Sequence, residues 1–138
     1  MITKTITYTD YNGQQVTEEY RFHFSEAELM EMQLGEHGGF NQRIQKIINA
    51  VDQPALIKLV KQFVLDAYGV KSSDGKRFMK NDELRTAFLE SPAYSKIFME
   101  LATDDVKAAE FVNGVVPEHM KKDVAEAMKN NVPATAAN

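Results

Sequence analysis

The longest regular pattern of hydrophobic and polar positions lies near the middle of the chain, over residues 53–69. Its apolar positions recur at helical spacing and occupy about half of a helix circumference; they are Leu56, Ile57, Leu59, Val60, Phe63, Val64, Ala67 and Tyr68. Polar residues, among them Asp66, fill the remaining face and are expected to contact water. Pro54 suits a first helical turn and Gly69 a left-handed helix end. The pattern predicts a central core helix that several other elements must cover.

The first 24 residues alternate with a period of two instead. Ile6 and Tyr8 alternate with threonines, and Tyr20, Phe22 and Phe24 alternate with charged residues or histidine. An Asn-Gly pair at 12–13 separates the two runs, and Asn-Gly is a strong signal for a two-stranded hairpin. Because a hairpin alone is marginal in water, its apolar face is expected to pack on helices.

Capping signals divide the following residues into further helices. Ser25 and Glu28 form a capping box at the start of a helix to about residue 34. Residues 40–51 carry a second helical pattern, Asn81 and the Ser91-Pro92 pair each suit a helix start, and residues 103–105 suit another. Residues 77–80 read as a short extended piece. The predicted fold is mainly α (α+β): one domain of five to seven helices with an N-terminal β-hairpin.

The predicted organisation along the chain has three parts. A compact domain covers residues 1–117, with the hairpin in 1–24 and the helices in 25–117. Residues 118–130 form a weaker amphipathic helix, whose apolar positions are Met120, Val124, Ala127 and Met128. Residues 131–138 are small or polar and are expected to be disordered, since they cannot bury enough surface to offset the entropy of ordering.

Composition narrows the function. A length of 138 residues suits a single domain, and a net charge of -4 argues against a nucleic-acid or anionic-membrane binder. The chain has no cysteine, which excludes disulfides, thiolate nucleophiles and cysteine–zinc sites. Neither a signal peptide nor an apolar run long enough to span a membrane is visible, so we expect a cytoplasmic protein.

The chain offers no constellation of residues typical of catalysis or of metal binding. His23, His37 and His119 have no ligand spacing among them, and the Asp74-Gly75 turn lacks the alternating oxygen ligands of a calcium loop. The glycines of residues 35–39 lack the lysine and the Ser/Thr of a phosphate loop. We therefore expect no catalytic, cofactor-binding or metal-binding residue.

Two stretches of the chain resemble a known family. They are TITYTDYNG…FHFSEAELMEMQLGEHGGF and AYGVKSSDGKRFMKNDELRTAFLESPAYSKIFMELATDDVKAAEFVNGVVP. Both are similar to the tail assembly chaperones of long-tailed (siphovirus-type) bacteriophages, which are encoded between the major tail protein and the tape measure protein. The resemblance covers roughly residues 3–117. It rests on packing, turn and capping residues, so it transfers no catalytic or ligand residue.

The resemblance implies a non-enzymatic protein that binds and solubilises the tape measure protein and helps to recruit tail tube subunits. It implies action in the host cell cytoplasm, absence from the mature virion, and self-association along the client. Many such proteins exist in two lengths through a programmed frameshift; this chain would be the short form, and a longer form would reach the major tail tube protein. The alternative is a structural tail or head–tail connector protein retained in the virion. A small enzyme is a third class.

Flexible apolar residues on two predicted helices suggest where the tape measure protein would bind. Methionine is flexible and is common on surfaces that bind varied apolar partners. The first helix is short yet carries Met30 and Leu34, and the helix after Ser91 carries Phe98 and Met99. We predict that these four residues contribute to an apolar groove for tape measure helices. The alternative interpretation is that all four belong to the core.

Overall fold

The computed structural model describes residues 1–35 and 39–117 as six helices and one four-stranded sheet. The elements in chain order are β1 (Ile2–Thr9), β2 (Gln15–Phe22), α1 (Glu26–Leu34), α2 (Phe40–Asn49), α3 (Ala55–Ala67), β3 (Tyr68–Lys71), β4 (Phe78–Met79), α4 (Asp82–Leu89), α5 (Pro92–Thr103) and α6 (Asp105–Gly114). This arrangement confirms the predicted α+β class. The predicted helix at 118–130 and the tail at 131–138 lie outside the described residues, as do His37 and His119, so the proposed domain boundaries stay predictions.

The N-terminal hairpin forms as predicted and belongs to a larger antiparallel sheet with strand order β1-β2-β3-β4. Its two strands pair in continuous register from Ile2 opposite Phe22 to Thr9 opposite Gln15. In the turn, the carboxylate of Asp10 accepts hydrogen bonds from the backbone N–H groups of residues 12 and 14, each at 2.9 Å. These local bonds hold the hairpin, and β3 then pairs with only the last two residues of β2.

The helix caps also agree with the sequence. The hydroxyl of Ser25 accepts from the Glu28 N–H at 3.1 Å, and the Glu28 carboxylate accepts from the Ser25 N–H at 2.9 Å. The Asn81 side chain caps α4, and Ser91 caps α5 with proline directly after it. Asp104 caps α6 by accepting from two backbone N–H groups. The starts of α1, α4, α5 and α6 are therefore explained by their capping side chains, whereas α2 and α3 begin at Gly39 and Pro54 without a side-chain cap.

The end of the central helix differs from the prediction. Helix α3 ends at Ala67, and Tyr68 and Gly69 begin β3, so Gly69 is not a left-handed helix end. The structure gives a different reason for glycine here: a Cβ at this position would lie 2.5 Å from the Phe78 ring of β4. Tyr68 continued the apolar spacing of the helix because its ring packs against the same core from the strand. The helix-like pattern thus crosses a change of secondary structure.

The buried face of α3 is also narrower and differently placed than predicted. Ile57 is 61% exposed, whereas Leu65 is only 6% exposed. Asp66, expected to contact water, accepts bonds from Arg43 at 2.7 Å and from Arg85 at 3.0 Å. This pair of arginines links α3 to α2 and α4. The first turn of α3 therefore faces solvent, and its last turns are surrounded.

An aromatic cluster joins the sheet to the helices. Phe22 of β2 is fully buried, and its ring centroid lies 5.0 Å from that of Phe111 in α6 and 5.8 Å from that of Phe88 in α4. Phe63 of α3 lies 5.5 Å from Phe24, so the central helix contacts the same cluster. Burying each such side chain contributes about 1.5–3 kcal/mol. The hairpin is therefore held by the helices, as its apolar face required.

One lysine ties three elements together beside this core. The ammonium of Lys80 donates to the backbone oxygens of His23 at 2.7 Å and Asp66 at 2.8 Å, and to the Glu28 carboxylate at 2.7 Å. It also lies 4.8 Å from the centroid of the Phe24 ring. Burial lowers the pKa of Lys80, while the bond to Glu28 acts in the opposite direction. The ammonium thus donates three hydrogen bonds, which join α1, α3 and the residue that follows β2.

Candidate functional site

An apolar groove of about 710 Å³ lies between the α2–α3 pair and the α5–α6 pair. Side chains from all four helices and from the α2–α3 connection line it: Ile44, Ile47, Ile48, Val51, Asp52, Leu56, Val60, Phe63, Val64, Leu101, Ala102, Thr103, Asp105, Ala108, Ala109, Phe111 and Val112. Its volume falls within the range of pockets that bury most of a drug-sized ligand, about 300–1,000 Å³. The groove can therefore accommodate several apolar side chains of a partner.

The groove has a buried floor and accessible walls. Phe111 and Phe63 are 1% and 3% exposed and belong to the main core. Ile48 and Val112 on the walls are half-buried, and Val51 at the rim is 52% exposed. Apolar side chains left partly in water lose the free energy that full burial would contribute. A partner that covers these walls would recover it.

Helix α2 builds one wall because its apolar residues lie on one face. Ile44, Ile47 and Ile48 follow the spacing i, i+3 and i+4 within α2, and Val51, just after the helix, continues the spacing at i+7. The helix ends before a short connection in which Asp52 has a φ of 70°, a left-handed conformation that aspartate tolerates better than most residues. This tight reversal brings α2 and α3 together, so both helices contribute to the groove.

The charged residues that line the groove are both acidic. They are Asp52 in the α2–α3 connection and Asp105 in the first turn of α6. The remaining lining residues are apolar apart from Thr103. Opposite charges at the edge of an interface favour the correct partner and orientation. The groove is therefore suited to an apolar segment that is flanked by lysine or arginine.

The four residues predicted to bind a client lie elsewhere. Met30 and Leu34 on α1 are 62% and 80% exposed, and Met99 on α5 is 54% exposed. Phe98 is half-buried, packs against the core and stacks on Tyr94, with the ring centroids 5.9 Å apart. None of the four lines the groove. Three of them are thus surface residues rather than core residues, and their role in binding stays a prediction.

Three titratable groups lie close together on the sheet. The Glu18 carboxylate accepts hydrogen bonds from the hydroxyls of Tyr8 at 2.6 Å and Tyr20 at 2.8 Å. These bonds lower the pKa of Glu18, and burial raises the pKa of Tyr20. The arrangement holds the two strands together and presents neither an activated nucleophile nor a free base.

In residues 1–35 and 39–117, no group of three or more histidine, aspartate and glutamate residues is placed to hold a metal ion. Within the same ranges, no helix is both long enough and apolar enough to cross a membrane.

Sequence reasoning missed the groove, although it predicted the apolar face of the central helix that supplies Leu56, Val60, Phe63 and Val64 to the lining. The apolar spacing of α2 was visible, but the same spacing also describes a helix whose face is fully covered. Ala108 and Ala109 carry no strong signal at all, and they matter here because small side chains leave room between α6 and α2. The groove exists because the α2–α3 pair stands apart from the α5–α6 pair. The apolar spacing within one helix carries no information about the distance between two pairs.

Comparison with known proteins identifies the family of the chain. A family model described as phage tail assembly chaperone matches residues 1–138, the whole of the given chain. No curated protein matches the chain, and no solved structure does. The match agrees with the resemblance of the hairpin and of the α3–α6 region, and a chaperone family indicates a non-catalytic role. The chain belongs to the phage tail assembly chaperone family.

Proposed function

We propose that this chaperone binds an apolar helical segment of the tape measure protein in the groove between α2–α3 and α5–α6. Binding keeps the tape measure protein in solution until tail tube subunits assemble around it. The observation that carries this proposal is the accessible apolar wall of the groove, with Val51 52% exposed at its rim. Family membership supports the class of client, and the groove supports the mode of binding.

The expected mode is an amphipathic helix that lies in a hydrophobic groove with its apolar residues as anchors. Two or three anchors, each contributing about 1.5–3 kcal/mol on burial, must also offset the loss of translational freedom and the ordering of the client. Each site is therefore weak on its own. Weak, repeated sites suit a client that must be released when the tube forms.

The remaining parts of the proposal are supported by family membership alone. The chaperone acts in the host cell cytoplasm, associates weakly with further copies along the tape measure protein, and is absent from the mature virion. A longer frameshift form recruits the major tail tube protein. Mass spectrometry of purified virions tests the absence from the particle, since a retained structural or connector protein would be found there.

Two matched substitutions test the groove. Val51→Glu places a carboxylate at the rim of the groove, and Val106→Glu makes the same change on α6 at a residue that is 68% exposed and does not line the groove. Surface substitutions of this kind change stability by about 0.5 kcal/mol or less. Both variants are therefore expected to melt within a few degrees of the wild type.

The readout is the soluble fraction of the tape measure protein when it is co-produced with each variant. We expect Val51→Glu to lose solubilisation and Val106→Glu to retain it. Equal solubilisation by the two variants, with unchanged melting temperatures, would show that the client does not bind in this groove.

A further inference from the structure

We propose that the unpaired edge of β2 binds an extended segment of a partner protein, and that a lysine or arginine side chain of this segment pairs with Glu18 in the adjacent cleft. The cleft shares no lining residue with the apolar groove. The two surfaces can therefore be tested independently of each other.

Strand β2 has one edge that is only partly paired. Along its other edge it pairs with β1 over its whole length, whereas β3 pairs with Arg21 and Phe22 alone. Within the described residues, no strand lies beside this second edge over residues 15–20. Most side chains in this stretch are exposed. Such an edge presents backbone N–H and C=O groups with which an extended chain can pair.

The hydrogen bonds on either side of β2 show which backbone groups point to the open edge. The His23 N–H donates to the Ala67 oxygen at 2.8 Å, on the side of β3. Successive residues of an antiparallel strand direct their backbone groups to opposite edges, so Thr17 and Glu19 direct theirs to the open edge. The even-numbered residues point to β1, in agreement with the Gln14 oxygen, which accepts a hydrogen bond across the hairpin turn.

A cleft of about 420 Å³ lies beside this edge, between β2, β3 and the end of α4. On the core-facing side of the sheet its walls are aromatic and include Tyr20, Tyr68 and Phe88. The rings of Tyr68 and Phe88 are stacked, with their centroids 4.2 Å apart. Side chains of a strand alternate between the two faces of a sheet. Every second side chain of an added strand would therefore face this cleft.

Glu18 is the charged lining residue on the core-facing side of the cleft. The other three, Glu19, Arg21 and Lys71, alternate onto the opposite face of the sheet, where Arg21 pairs with Glu19 at 3.0 Å. In residues 1–35 and 39–117, no lysine or arginine forms an ion pair with Glu18. The cleft therefore has a carboxylate without a cation.

The surroundings of Glu18 suit a basic side chain. Both tyrosine hydroxyls donate to the same oxygen, Oε1, so the second carboxylate oxygen can still accept hydrogen bonds. These bonds lower the pKa of Glu18, which keeps the carboxylate charged at neutral pH. Aromatic rings beside it attract a cation further. An arginine or lysine on an added strand would meet both features.

The sequence of the edge favours such a partner over a second copy of the chain. Residues 15–20, QVTEEY, contain two glutamates and no lysine or arginine. If two copies paired in antiparallel order about Thr17, Val16 would lie opposite Glu18, and Gln15 opposite Glu19. Glu18 would then still lack a cation. A segment of alternating β-branched residues with one basic residue would pair with both the edge and the carboxylate.

Nuclear magnetic resonance can detect the weak binding expected of a short peptide. The probe is an acetylated and amidated peptide of sequence TVTRTVT, and the control peptide TVTQTVT carries glutamine in place of arginine. At saturation, the arginine peptide should slow solvent exchange of the Thr17 and Glu19 amides by about tenfold, because these groups then donate to its backbone. The Val16 and Glu18 amides already point to β1 and should not change.

Glu18→Gln tests the pairing with the basic side chain, because glutamine keeps an oxygen for the tyrosine hydroxyls but removes the charge. We expect this variant to bind the arginine peptide about three- to tenfold more weakly than the wild type. Glu19→Gln makes the same charge change on the outer face and should bind within about twofold of the wild type. The comparison of the two peptides on the wild-type chain needs no substitution, so it stands even if Glu18→Gln unfolds.

Several results would overturn the proposal. Unchanged exchange at Thr17 and Glu19 would show that the edge does not accept a strand, and equal binding of the two peptides would show that Glu18 does not select a cation. Changes confined to Val51 and Val112 would place the peptide in the apolar groove instead. Exchange at residues 17 and 19 that slows as the concentration of the chain alone rises would assign the edge to a second copy.

Discussion

The half-buried Lys80 gives the sharpest test of how the fold is held together. Lys80→Met keeps the apolar stem of the side chain but removes the ammonium that donates to His23, Asp66 and Glu28. The side chain of Lys80 is 19% exposed and that of Glu28 is 33% exposed. Water can therefore replace part of the lost interaction at the Glu28 carboxylate.

The expected loss follows from these three bonds. A hydrogen bond to a charged group contributes about 1.5–3 kcal/mol, but burial of the ammonium costs free energy, as the lowered pKa of Lys80 indicates. After allowing for this cost and for the rehydration of Glu28, we expect Lys80→Met to lower the free energy of unfolding by about 2–4 kcal/mol. For a chain of this size the melting temperature should fall by roughly 10 °C.

Urea unfolding followed by circular dichroism at neutral pH measures this loss. Lys96→Met is the matched control, because the Lys96 ammonium donates a single exposed bond to the Thr7 oxygen, and its loss should cost no more than about 1 kcal/mol. A double-mutant cycle with Glu28→Gln isolates the coupling between the two charged groups. If Lys80→Met costs no more than Lys96→Met, the lysine does not tie these elements together and the reasoning is wrong.

Further predictions concern pH and the exposed methionine. Burial raises the pKa of Tyr20, Tyr68 and Tyr94. The unfolded chain therefore releases these protons at a lower pH than the folded protein does. The contribution of the three tyrosines to stability is present below about pH 10, the usual tyrosine pKa, and is lost as the pH rises further. Urea unfolding between pH 8 and pH 11 should show this loss, and Tyr20→Phe should reduce it. Met30→Glu should leave the melting temperature within about 2 °C of the wild type, whereas Phe98→Glu should lower it by more than 5 °C because its ring packs on the core; thermal melts compare the two.

Features that depend on neighbouring residues were predictable from the sequence. The hairpin follows from alternation and from Asn12-Gly13, and the start of α1 follows from the Ser25–Glu28 capping box. Both need only contacts a few residues apart, which a sequence displays directly.

Features that depend on distant residues were not predictable. Gly69 suggested a helix end, yet its role is to admit the Phe78 ring from the next strand. Asp66 looked like a solvated residue until α2 and α4 brought Arg43 and Arg85 to it. The groove likewise depends on the spacing between helix pairs. In each case the deciding contact lies on another element.

Photo-crosslinking to the tape measure protein tests the central claim most directly. A p-benzoylphenylalanine residue is placed in turn at Val51, at Val106 and at Met30, and each variant is co-produced with the client and irradiated. The account predicts an adduct with the tape measure protein from position 51 and none from position 106. An adduct from position 30 with none from position 51 would contradict the account and move the binding site to the exposed face of α1.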